Sequence, residues 1–201
     1  KAESASTRAR FLAARARVAT RMHKDLDQAE NLYRQAIALA PTEPEVLASF
    51  GEFARAHQRL AVFDESLRSA GRTLENEWEQ RVIEAVVTGL RGDRDSFTQA
   101  AESLENVLTE RQQAFVYRGT RLPLLAWAAQ FLVTEYEARK ADVVLSGETL
   151  MRFAVVLAES GDTANALCLV DSALPRLTDS EKGRGFYIRK QILDRINRTG
   201  E

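Results

Sequence analysis

A period of 34 residues constrains this chain more than any other feature. Turn-forming pairs fall at Lys24-Asp25, Gln58-Arg59, Gly92-Asp93 and Gly161-Asp162, separated by 34, 34 and 69 residues, the last being two periods plus one. Apolar positions keep the same step. Ala36, Ala70, Leu104, Ala138 and Ala173 lie 34, 34, 34 and 35 residues apart, and Ala29, Phe63, Phe97, Phe131 and Ala166 repeat those spacings. Tyr33, Leu67, Ala101 and Val170 make a third column, with Glu135 standing at its fourth place. Several columns sharing one period signal a repeated supersecondary unit.

The stretch AENLYRQAIALAPTEPEVLASFG, residues 29–51, shows what the unit is. Ala29, Tyr33 and Ala36 are three and four residues apart and share one helical face. Pro41 cannot continue that helix, whereas Pro44 suits the first turn of the next one. Val, Ile and Thr are sparse while Ala, Leu, Arg and Glu abound, which favours helix throughout. Each unit reads as an antiparallel helical pair whose apolar flank is covered by the pair that follows. Units are expected at about 10–43, 44–77, 78–111, 112–146 and 147–180, with 181–201 as a terminal cap. Ile188, Ile192 and Ile196 give that cap one apolar stripe, leaving Arg189, Lys190, Asp194 and Arg195 to face water.

At these residues the chain resembles the tetratricopeptide repeat family. The second unit carries the family pattern as Leu47, Phe50, Gly51 and Ala54 on its first helix and Leu67 and Ala70 on its second. The first unit contributes Ala29, Tyr33, Ala36 and Pro41, and the unit at 147–180 contributes Gly161-Asp162, Ala166 and Ala173. The pattern is good over 10–77 and 147–180 and weak over 78–146, where Gly119 and Pro123 interrupt the hairpin expected at 112–146. A distorted first helix is expected there, then a long one from about 123 to 140. The resemblance implies an all-α, right-handed solenoid of antiparallel hairpins forming a single domain.

It also implies a binding surface, since the first helices of such hairpins line a concave groove. Carried over position by position, the groove takes Phe11, Ala14, Val18, Arg21 and Met22 from the first unit, and Glu45, Ala48, Glu52 and Arg55 from the second. The 147–180 unit adds Glu148, Met151, Val155 and Glu159. Family members that grip acidic chaperone tails place Lys and Asn at inward positions; Ala, Val and two glutamates stand there in this chain, which disfavours that ligand. Such a mixed groove suits an amphipathic helix or an extended segment of another protein.

The first helix is also basic. Between Arg8 and Lys24 there is no acidic residue, and Arg10, Arg17, Arg21 and Lys24 fall on one face while Phe11, Val18 and Met22 line another. That face is either a solvated outer surface or a contact for an acidic protein, a nucleic acid or anionic lipid, and its Arg-rich character also resembles a targeting presequence. Charge is uneven along the chain: 8 basic against 4 acidic residues in 1–40, and 7 against 14 in 41–110. With a net charge of −1 overall, nucleic acid is not the expected partner.

Catalytic chemistry has little to stand on. His23 and His57 sit near hairpin turns with no metal-ligand spacing, and no phosphate loop or nucleophile elbow is present. Neither catalytic residues nor a cofactor or metal are expected. Cys168, the only cysteine, lies in the run ALCLV and reads as a buried small hydrophobe. Arg91-Gly92-Asp93 reads as a turn and helix cap, and the sequon at Asn197 carries little weight at a chain end. The longest apolar run, 122–133, is too short to cross a bilayer and holds Gln130, so it reads as a buried helix. The expected function is a non-catalytic scaffold or adaptor in the cytoplasm or periplasm. Alternatives are self-assembly through a terminal face, or a regulatory module of a larger envelope, secretion or polymer-export protein; Lys1 in place of Met suggests a fragment or processed chain.

Overall fold

A computed structural model describes residues 4–90, 93–113, 122–138 and 144–199. Among the described residues the chain is all-helical, with ten α-helices and no strand: α1 Ala5–Val18, α2 Leu26–Leu39, α3 Pro44–Ala56, α4 Leu60–Gly71, α5 Glu77–Leu90, α6 Arg94–Gln113, α7 Leu122–Ala138, α8 Gly147–Ser160, α9 Thr163–Ala173 and α10 Asp179–Thr199. The chain divides into two compact units, Lys1–Leu90 and Arg91–Glu201.

In the first unit, α1 packs on α2 and α3, α2 on α3 and α4, α3 on α4, and α4 on α5. Ala9, Ala13 and Ala16, one or two turns apart on α1, are fully buried, and side chains this small let α2 approach closely. Larger groups fill the space between α2, α3 and α4. Tyr33 stacks on Phe50 at 5.0 Å between ring centroids and 5° between planes, and Phe63 meets Phe50 edge-on at 5.2 Å. Phe53 closes the cluster, 5.2 Å from Tyr33. Such aromatic pairs add to the stabilisation from area burial alone. Arg59 fastens the start of α4 to α2 through Asp27, at 2.8 Å, and Glu30.

The hairpin corners repeat in detail. Lys24, Gln58 and Gly161 all take the left-handed backbone conformation, with φ of 52°, 58° and 97°. At the second corner, Gln58 N–H donates to Arg55 O and Arg59 N–H to Ala54 O; at the last, Gly161 N–H donates to Ala158 O and Asp162 N–H to Leu157 O. This pair of bonds satisfies carbonyls that the helix end would otherwise leave open. The next helix is then started by a carboxylate: Asp25 accepts from Gln28 N–H at 2.9 Å, Asp93 from Ser96 N–H at 2.8 Å, and Asp162 from Asn165 N–H at 3.3 Å. The first corner is one residue wider. Helix α1 runs on into a π-helical turn, Ala19–His23, and Asp25 N–H reaches back to Ala19 O.

In the second unit, α6 packs on α7 and α8, α7 on α8, α8 on α9, and α10 on both α8 and α9. Glu105 of α6 accepts from the Thr149 hydroxyl at 2.6 Å and from Arg152 at 3.2 Å, tying α6 to α8. A 3-10 turn, Leu174–Arg176, follows α9. From it Arg176 donates to the Tyr136 hydroxyl and to Leu145 O, both at 2.9 Å. Leu177 is then wedged between two glycines. A methyl group built on Gly147 would stand 2.9 Å from Leu177 Cδ2 and 3.0 Å from the Arg176 backbone, and one on Gly185 would stand 2.9 Å from Leu177 Cδ1. Only glycine lets α8 and α10 close on that side chain.

The columns read from the sequence are buried at every member whose side chain is described, Glu135 included; the Ala138 side chain lies outside the described residues. The run at 122–133 is a buried helix, with Pro123 in its first turn. The distorted helix expected before it, with Gly119, lies outside the described residues, as do Arg91 and Gly92. Two expectations need correction. Cys168 is exposed, because α9 buries Ala166, Leu169, Val170 and Ala173 and these define the opposite face. On α10, Arg189 and Arg195 do not simply face water: Arg189 pairs with Asp171 at 2.7 Å, and Arg195 donates to Ala158 O at 2.9 Å and Glu159 at 2.6 Å. Both fasten the last helix to α8 and α9.

Candidate functional site

The first unit brings the expected residues of α1 and α3 to one open face. Pro44 at the start of α3 places Glu43 at the helix N-terminus and Glu45 in its first turn, a favourable end for negative charge. Both point to α1. Arg10 reaches Glu43 at 2.8 Å and Glu45 at 3.5 Å, and Arg17 reaches Glu45 at 3.7 Å. The Ser6 hydroxyl also donates to Glu43. The hydrogen bond from Arg10 to Glu43 holds the guanidinium pKa above its ordinary value. Two members of the expected basic face are thus partnered within the chain. Arg21 and Lys24, the other two, are exposed.

Tyr33 of α2 is buried against Phe50 and Phe53 of α3. Burial pushes the phenol pKa up to about 12, and the charges that reach it are Arg17 and Arg21, which lower it, and Glu52, which raises it. Glu52 and Arg55 are exposed on α3, and Ala14 and Ala48 are half-buried. Arg21, Glu45, Glu52 and Arg55 are thus exposed charges of both signs, and of these Arg21 and Glu52 act on the buried Tyr33 phenol. Ion pairing, hydrogen bonding to side chains and apolar contact are the chemistry it offers.

Phe11 and Val18 of α1, and Met22 of the π-helical turn that extends it, stand on a different side. They are 61%, 51% and 75% exposed and lie across the helix from the buried alanines. Phe11 opens onto a hollow shared with Arg8, Leu12 and the C-terminal half of α2, at Gln35, Ala38 and Leu39. The first-unit residues expected in one groove thus divide between the α1–α3 crevice and this outer hollow.

The second unit has its own cleft, lined by Glu148, Met151, Arg152 and Val155 of α8 and by Leu177, Glu181, Arg184, Gly185 and Ile188. Met151 is buried and Val155 half-buried beneath it. Glu159 is engaged by Arg195. Here the chain's own C-terminal helix takes up much of the surface that α8 would offer a partner.

Sequence reasoning missed Glu43 and Leu177, and marked Arg8 only as the start of the basic run. A proline at the first helical position could have singled out Glu43, but nothing local marks Leu177. His57 packs its ring 5.0 Å from Phe53. Among the described residues, no three His, Cys, Asp or Glu side chains are grouped to hold a metal, and no helix is long and apolar enough to cross a membrane. The chain matches no protein-family model and no curated protein.

Proposed function

We propose that the chain is a tetratricopeptide-like array of helical hairpins that acts as a non-catalytic scaffold, holding a helix or extended segment of another protein against the first helices of its hairpins. The observation that carries this reading is the α1–α3 crevice. Charges of both signs, Arg17, Arg21 and Glu52, act on the buried Tyr33 phenol, Glu45 and Arg55 add exposed charge on α3, and stacked rings and fully buried alanines support the frame. A preformed surface limits the ordering cost of binding, and mixed charge sets register and selects partners. Matching left-handed corners at Lys24, Gln58 and Gly161 support the repeat reading.

The test is affinity capture with the chain and with Arg21→Glu and Arg55→Glu variants. Partners held by the parent should be lost from both variants; the same partners in all three samples would remove the crevice from consideration. A second reading, self-association through a terminal helix, is favoured by Phe186 and Tyr187, which are exposed on α10. Light scattering over a range of concentrations decides it, and a monomer throughout would end it.

A further inference from the structure

The outer face of α1 is a second surface, distinct from the crevice, and we infer that it docks an acidic amphipathic helix of another protein. Three exposed apolar side chains, Phe11 and Val18 of α1 and Met22 of the π-helical turn that extends it, form a stripe, since steps of seven and four residues return to the same side of a helix. The stripe is flanked by Arg8 and Arg15 on one side and Arg21 on the other, and α1 carries no acidic residue. Among the described residues, Arg8 and Arg15 have no carboxylate partner, whereas Arg10 and Arg17, a third of a turn or more away, are paired with Glu43 and Glu45. The carboxylates seen to pair with α1 among the described residues thus lie on its other side, and the cations beside the stripe are placed to meet an external anion.

Shape selects the class of partner. The hollow between Arg8, Phe11, Leu12, Gln35, Ala38 and Leu39 is recessed between two helices, so it accepts an inserted side chain. A flat bilayer surface would leave it unfilled. A helix with apolar residues at i, i+3, i+4 and i+7 and carboxylates beside them would set one anchor in the hollow, lay the rest along Val18 and Met22, and pair with Arg8 and Arg15. This goes beyond the crevice proposed above and does not depend on it.

The probe is a fluorescent synthetic helix of about 16 residues, long enough to be partly helical and to span the stripe. It carries Leu at the apolar positions and Glu elsewhere. Anisotropy titration of the full chain should show saturable binding that weakens with added salt. Phe11→Asp, and separately Arg8→Glu with Arg15→Glu, should each weaken it by about tenfold or more, as expected for removing an anchor. These sites are exposed, and an unchanged circular dichroism melt confirms folding. A peptide with Lys in place of Glu should not bind, and Arg55→Glu, on α3 and away from the stripe, should bind the acidic peptide within about threefold of the parent. Absence of binding, equal binding to the variants, or loss confined to the Arg55 variant would overturn the inference. So would sedimentation with phosphatidylglycerol vesicles, or a dimer, that depends on Phe11.

Discussion

Two crevices of this molecule are made in the same way and filled oppositely. Between α1 and α3, charges form the joint: Arg10 and Arg17 meet Glu43 and Glu45 at 2.8 to 3.7 Å across a seam that is exposed except at the largely buried Glu43. Between α8 and α10 the joint is apolar and tight, Leu177 being held between Gly147 and Gly185. In the first case the two helices come from consecutive hairpins, and in the second α10 follows the last hairpin. The comparison teaches that helix spacing can be set without fixing what lines the seam. A seam of exposed charges stays open to exchange partners, whereas one that closes on a buried leucine does not.

The difference can be broken or sharpened by measurement. The largest effect is expected from Leu177→Ala, which deletes most of a buried side chain and should lower stability by about 3 kcal/mol, with little dependence on salt; denaturant titration reads it. Gly147→Ala comes next. Its new methyl would press on the backbone at Arg176 and Ala173 as well as on Leu177, so overpacking should destabilise by about 2 kcal/mol. In the charged seam, Glu43→Gln with Glu45→Gln should move the denaturation midpoint less than either, and the shift should vanish at about 1 M salt, where the Debye length is about 3 Å. A large salt-independent loss there would mean that the two joints are alike.

The smallest effect on neutral-pH stability belongs to Tyr33. Its folded pKa of about 12 lies above the ordinary phenol value of about 10. The stability tied to the neutral phenol is therefore complete below pH 10 and is lost as pH rises from there toward 12. Ultraviolet titration of phenolate, with Tyr33→Phe as the subtraction, should isolate one late-ionising tyrosine. Ordinary titration of all four would show that the phenol is not sheltered.

Much of the fold was legible because burial and turn geometry are periodic. Ala29, Phe63, Phe97, Phe131 and Ala166 share a spacing and are all buried, and the left-handed corners at Lys24, Gln58 and Gly161 fall at the turns. Cys168 shows where that logic stops: its run is apolar, but a helix phase one residue away decides exposure. The site was less legible still. Phe11 and Arg21 shared an expected groove, yet α1 turns them to different neighbours. The pairing of Arg10 with Glu43, 33 residues apart, requires knowing which helices lie side by side, and no local pattern encodes that.

The hairpin corners have a kinetic consequence. Each is closed by bonds reaching back three to six residues, from Gln58 and Arg59 to Arg55 and Ala54, and from Asp25 to Ala19. Loops this short are quick to close, and chains rich in local contacts fold fast. Each of these hairpins thus carries the means to begin forming before its neighbours arrive, so the order of assembly is free to follow whichever of these corners closes first.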